Sequence, residues 1–138
     1  MPLPQAREAR EFYRCSFQRF EDADILLKAE RTTGARYLAG YGVECMLKAL
    51  VLSVVPQSQR TPMLVSFRSG RGHNLEWLKK QYREHGGAPF PPEVARAFTV
   101  VNTWTTEWRY TSGTSKRREA MAFFRATQKI MDWAHRRL

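Results

Sequence analysis

Residues 34–55, GARYLAGYGVECMLKALVLSVV, are apolar on two sides at once, and a chain built around such a stretch has few ways to fold. Wound as a helix at about 100° per residue, Leu38, Cys45, Ala49 and Leu52 fall on one wall. Val43, Leu47, Leu50, Val51 and Val54 fall on the other. Between the walls runs a polar row, Tyr37, Tyr41, Glu44 and Lys48. A surface helix sets its charges opposite one apolar stripe, whereas here they are hemmed in from both sides. The pattern predicts a central helix packed by neighbours almost all round. Glu44 and Lys48 are then either an ordinary i,i+4 pair, worth ~0.2–0.5 kcal/mol, or charges held inside an interface or a site, where an unpaired charge is costly.

The rest of the chain reads as helices around that one. Residues 5–31 repeat Ala9, Phe12, Tyr13, Ser16, Phe20, Ala23 and Leu27 on one face. A short break at Thr32-Thr33-Gly34, with Gly34 as a C-cap and Thr33 as the next N-cap, implies an antiparallel helical hairpin. After Pro56, residues 57–72 show no helical period and carry Pro62, Gly70, Gly72, Arg60, Arg68 and Arg71. They read as a long loop. His73 or Asn74 caps a third helix whose buried face is Leu75, Leu78 and Tyr82, ending at Gly86-Gly87. Pro91-Pro92-Glu93 starts a fourth, residues 92–110, burying Val94, Ala97, Phe98, Val101, Trp104 and Trp108. Its Thr99-Val100-Val101 cluster is a poor helix former, so packing has to hold it. Thr114 or Ser115 caps the last helix, which buries Ala120, Phe123, Phe124, Thr127, Ile130, Met131 and Ala134. The expected fold is a single all-α domain over residues 1–138, a five-helix up-and-down bundle.

Charge is the strongest pointer to a partner. Lysine and arginine number 23 against 13 acids, a net charge of +10. Residues 1–33 are balanced, so the whole surplus lies in residues 34–138. A basic part on a neutral part suggests a polyanion-facing surface, nucleic acid first and acidic protein second. Cys15 and Cys45 are the only cysteines, without Cys-x-x-Cys or a Cys/His cluster. They are expected as buried free thiols in a reducing cytoplasm. The run 43–55 contains Glu44 and Lys48 and is short for a bilayer, and no apolar signal core opens the chain. The expectation is a soluble cytoplasmic protein with no membrane contact, cofactor or metal.

Phosphate-loop, dinucleotide, zinc-protease and nucleophile-elbow signatures are absent from the sequence. Of the three histidines, His85 and His135 sit at helix ends, while His73 stands at a helix start beside the basic 57–72 stretch. His73 is either a cap or a reactive imidazole. Arg109-Tyr110 follows Trp104 and Trp108, and an arginine beside exposed aromatics suits phosphate with stacked bases. The alternative is that both tryptophans are core and Arg109 pairs with an acid such as Glu44.

The segments Tyr37-Leu38-Ala39-Gly40-Tyr41-Gly42-Val43-Glu44-Cys45-Met46-Leu47-Lys48-Ala49-Leu50, Gly72-His73-Asn74-Leu75 and Arg109-Tyr110, followed by an Ala/Phe-rich final helix ending in Trp133, together resemble the HEPN domain family. The resemblance spans nearly the whole chain, from Phe17 to Leu138. It implies a small helical bundle that dimerises and is often encoded beside a minimal nucleotidyltransferase in toxin–antitoxin, RNA-processing or defence systems. Many members are metal-independent ribonucleases, marked by an arginine followed a few residues later by a histidine. Here Arg109 is followed by Tyr-Thr-Ser-Gly-Thr-Ser-Lys, with no histidine. Arg68 and His73 have a formal spacing of that kind, but His73 belongs to the helix-start motif.

Three readings follow. The first is an RNA- or nucleotide-binding protein without the ribonuclease motif, using Arg36, Lys48, Arg68, Arg71, His73, Arg109, Tyr110 and, on the last helix, Arg118, Arg125 and Lys129. The second is a metal-independent endoribonuclease toxin with His73 and Glu44 as acid and base and Arg109 on the phosphate. The third is a dimeric interaction module whose register is fixed by Tyr37, Tyr41, Glu44 and Lys48.

Overall fold

A computed structural model describes residues 3–138, and among them the protein is all-α, with six helices. They are α1 (Arg7–Lys28), α2 (Thr32–Val54), α3 (Gln57–Phe67), α4 (Leu75–Glu84), α5 (Pro92–Val101) and α6 (Arg117–His135), with 3-10 turns at Gly70–His73 and Thr106–Tyr110. The sequence reading had five helices. The extra one is α3, in the stretch expected to be a loop.

Helix α2 is the axis of the molecule. From Gly42 to Leu52 every residue is buried, because α1, α4 and α6 all pack against it. At 23 residues it is long and apolar enough to cross a membrane by length and composition alone. Its buried charges, Glu44 and Lys48, are instead paired, and its apolar walls are covered by the other helices. The α1–α2 connection turns through Glu30, whose positive φ of 62° is unusual for a side-chain-bearing residue. Gly34 lies inside the first turn of α2, so the expected Gly34 cap is not used. Thr33 is not the N-cap either. Its hydroxyl donates to the Gly113 carbonyl (2.7 Å), while Thr32 Oγ1 donates to the Ser115 carbonyl (2.9 Å) and accepts from the Ser115 N–H (3.0 Å). These bonds tie the start of α2 to the segment leading into α6.

Two glycines set close approaches. A Cβ on Gly40 would overlap the Trp104 indole, which therefore lies flat against the α2 backbone. Gly42 faces the α1 backbone, where a Cβ would meet the Ser16 carbonyl at 3.1 Å. Helix α3 forms despite Pro62 because Met63 and Phe67, one turn apart, are drawn into the core. Arg60 also pairs with Glu8 of α1 at 3.6 Å. Two buried residues are too few to show a period in the sequence, and tertiary packing overrides the proline's local cost. The fourth predicted helix is also shorter than expected. It ends at Val101, where Asn102 and Thr103 turn the chain. Trp104 still enters the core, as foreseen, but from an irregular segment; Trp108 is half-buried in the following 3-10 turn.

Candidate functional site

The polar row of α2 resolves into a buried chain of charges. Glu44 is 1% exposed and Lys48 6%. Lys48 Nζ lies 3.0 Å from Glu44 Oε2, and the same ammonium sits 5.6 Å and 5.4 Å from the ring centres of Phe12 and Phe67. Those two rings meet edge-on, so the cation has a carboxylate and aromatic faces as neighbours. The other carboxylate oxygen, Oε1, is 2.9 Å from His73 Nδ1. A carboxylate only accepts, so Nδ1 carries the proton and Nε2 is the nitrogen left for a ligand. His73 does not cap α4. Asn74 does, accepting the Trp77 N–H at 2.9 Å, and this frees the imidazole for Glu44.

His73 is 44% exposed at its side chain and lines a cleft of about 340 Å³ with Asn74, Glu76, Asn102, Thr105 and Thr106. Trp104 forms its inner wall; its Nε1–H donates to the Tyr37 carbonyl (2.9 Å), and its ring stacks on Tyr37 at 5.8 Å. Lys48, expected to contact nucleic acid, is fully committed inside the protein, since removing it from Glu44 would strand a buried carboxylate. Glu44 and Lys48 are likewise covered by their own chain, so they have no free surface with which to set a dimer register. Tyr37 and Tyr41 are half-buried around Trp104. Burial first, then neighbouring Cys45 and Glu44, raise the Tyr41 phenol above its usual range.

Arg109 does not join this cleft. Its guanidinium lies over the ring of Tyr110, 5.0 Å away, and that tyrosine is 74% exposed. The structure therefore does not assemble His73, Glu44 and Arg109 into one site within the chain. Arg68, Arg71, Arg109, Arg118, Arg125 and Lys129 are all exposed and make no ion pair among the described residues. Arg125 and Lys129 line one shallow groove with Arg96 and Glu93.

A second cleft, about 260 Å³, is lined in part by residues from the Thr106–Tyr110 turn onward. Arg36 lines it together with Trp108, Thr33, Thr111, Ser112, Thr114 and Ser115. The Arg36 guanidinium stacks 4.6 Å from Trp108 and 5.5 Å from Phe123. Consecutive residues of α2 thus each take one tryptophan, Tyr37 receiving Trp104 and Arg36 receiving Trp108. Sequence reasoning singled out Arg36 but missed its surroundings. The available signal was the hydroxyl density of residues 111–115, TSGTS, which reads equally well as a plain turn.

The two cysteines differ. Cys45 is buried and Cys15, expected to be buried, is only half-buried. Burial first, then Cys15 and Glu44, hold the Cys45 thiol far above its ordinary 9.0. Among the described residues no group of three or more His, Cys, Asp or Glu is placed to hold a metal ion. Comparison of the chain with protein-family models, curated proteins and solved structures finds no match.

Proposed function

We propose that this is a HEPN-like helical protein that binds RNA or a nucleotide, acting as a homodimer in the cytoplasm beside a minimal nucleotidyltransferase in a toxin–antitoxin or defence system. Helices α1, α2, α4, α5 and α6 are the five-helix bundle of that reading, and α3 is an addition to it. The observation that carries the RNA reading is the set of exposed cations without carboxylate partners: Arg68, Arg71, Arg109, Arg118, Arg125 and Lys129. Cations already neutralised within a fold gain little from a polyanion. Unpaired ones release condensed counterions when they meet phosphates, and that release drives binding.

The contact between Glu44 and His73 favours a second reading, a metal-independent endoribonuclease. A carboxylate-oriented imidazole presents Nε2 as a base toward a ribose 2′-hydroxyl. The reaction also needs a fixed cation on the phosphate, and none lines the His73 cleft.

Incubation of the purified protein with end-labelled tRNA in EDTA separates the two. The binding reading expects intact tRNA, shifted on a native gel at low salt. If six or more phosphates are neutralised, affinity falls roughly 10³-fold between 50 and 200 mM salt. Absent or salt-insensitive binding sinks it. Discrete cleavage that disappears in His73→Ala, with the fold intact, establishes the nuclease instead.

A further inference from the structure

We infer that the cleft around Arg36 is an oxyanion site that seats one terminal phosphate group, the phosphomonoester of a nucleotide or of an RNA end. The inference rests on the RNA-or-nucleotide reading only for what the phosphate is attached to.

Four features point the same way. The cleft lining contains one cation and five hydroxyl side chains and no carboxylate. The His73 cleft, by contrast, contains Glu76 and would repel an anion. The Arg36 guanidinium is held flat by Trp108 and Phe123. A stacked, planar fork is pre-organised for phosphate, so little side-chain freedom remains to be lost on binding. Within this cleft, Arg36 Nε and Ser115 Oγ are both buried with no hydrogen-bond partner. Buried polar groups without partners are uncommon in folded proteins and cost stability. As both atoms are enclosed, a ligand oxygen in the cleft satisfies them once the side chains turn outward, and no existing bond holds either atom back. Finally, the N-terminus of α2 borders the cleft through Thr33. That terminus has no acid in its first turn and no side-chain cap, so its partial positive charge is not offset locally.

Size limits the ligand. Pockets that enclose a whole drug-sized molecule run from about 300 to 1,000 Å³. At about 260 Å³ and open to solvent, this cleft takes a phosphoryl group and leaves the attached sugar and base outside. The exposed Arg109–Tyr110 pair, which directly follows Trp108, lies on the same turn.

The test is calorimetric titration of the full chain with uridine 5′-monophosphate and, separately, uridine. A short RNA carrying a 5′-phosphate, compared with the same RNA ending in a 5′-hydroxyl, separates a free nucleotide from an RNA end. Arg36→Ala, Arg36→Lys and Ser115→Ala are measured alongside, with circular dichroism to confirm folding. The expected result is binding of the monophosphate and not of uridine. Arg36→Ala weakens it roughly 10–100-fold, as for loss of a charge-assisted bond, and Arg36→Lys restores only part because lysine offers no stacked fork. Ser115→Ala weakens binding several-fold without touching the cation, so the inference is tested even if the arginine variants unfold. No binding of the monophosphate together with no preference for the 5′-phosphorylated RNA, equal binding of uridine, or binding unchanged by every folded variant overturns it. A tRNA gel shift with neither monophosphate binding nor a preference for the 5′-phosphorylated RNA leaves the general RNA reading standing and removes this site. Monophosphate binding without a tRNA shift does the reverse.

Discussion

Replacing Lys48 with methionine isolates the buried charge chain. Methionine keeps most of the lysine stem's volume, so the change removes a charge while leaving the packing near Phe12 and Phe67 largely filled. Glu44, 1% exposed, then loses one of its two partners and keeps only His73. Breaking a buried pair by deleting one member costs about 3–5 kcal/mol, mostly the penalty of an uncompensated charge. The lost cation–π contacts add to this, at ~0.5–2 kcal/mol. A chain of this length has total stability on the order of 5–15 kcal/mol, so the variant stays folded unless the wild type lies near the bottom of that range, and melts roughly 10–25 °C lower. The companion variant Lys48→Met/Glu44→Leu removes both charges and should recover most of the loss, since a buried pair replaced by apolar groups is often neutral or better. Urea denaturation of wild type, both single variants and the double variant gives the coupling as a double-mutant cycle. If Lys48→Met costs less than about 1 kcal/mol, or the double variant is no more stable than the single, Glu44 is not held as a buried charge, and the orientation assigned to His73 loses its basis.

Three further outcomes follow from particular contacts. Gly40→Ala puts a methyl group into the Trp104 indole and should cost about 1–3 kcal/mol as an overpacked core, read from the urea midpoint together with a change in tryptophan fluorescence. Asn74→Ala removes the α4 cap and should cost ~0.5–2 kcal/mol, whereas Asn74→Ser should lose only a few tenths of that range; equal losses in the two would argue against the cap. For Cys45, the raised thiol titration means that the folded state favours the neutral form. Its contribution to stability is complete below the ordinary 9.0 and is lost as pH rises above that value. Denaturation midpoints should therefore fall progressively from about pH 9 upward, less so in Cys45→Ala. At pH 8 a thiol reagent should modify Cys45 only after denaturation, because the thiolate is the reactive form and is both depleted and enclosed.

How much was legible in the sequence varied with the range of the interaction. The buried faces of α1, α4 and α6 could be read from 3.6-residue spacing, and Leu75, Leu78 and Tyr82 are buried as that spacing predicts. Glu44 and Lys48 announced their pairing because four residues on a helix are one turn. Only one of the three sequence readings sets His73 beside Glu44, as acid and base; spacing could not choose it, because His73 lies 29 residues away and its local context suited a cap equally well. Helix α3 was missed because only Met63 and Phe67 enter the core, leaving no period to detect around Pro62. The fourth helix was overextended because Trp104 and Trp108 are spaced as if on one face. In fact Trp104 is anchored by a hydrogen bond to Tyr37 across 67 residues of sequence.

By itself, then, the sequence determined the all-α class, the central position of α2 and the excess of positive charge, since periodicity, propensity and composition are local or additive properties. Only the tertiary structure decided that Lys48 is sequestered, that His73 meets Glu44, and that Arg36 stacks on Trp108 beside a row of hydroxyls. Those juxtapositions depend on how the helices pack around α2. One side chain in place of Gly40, for example, would displace Trp104 from α2 without altering the periodic pattern of any single helix.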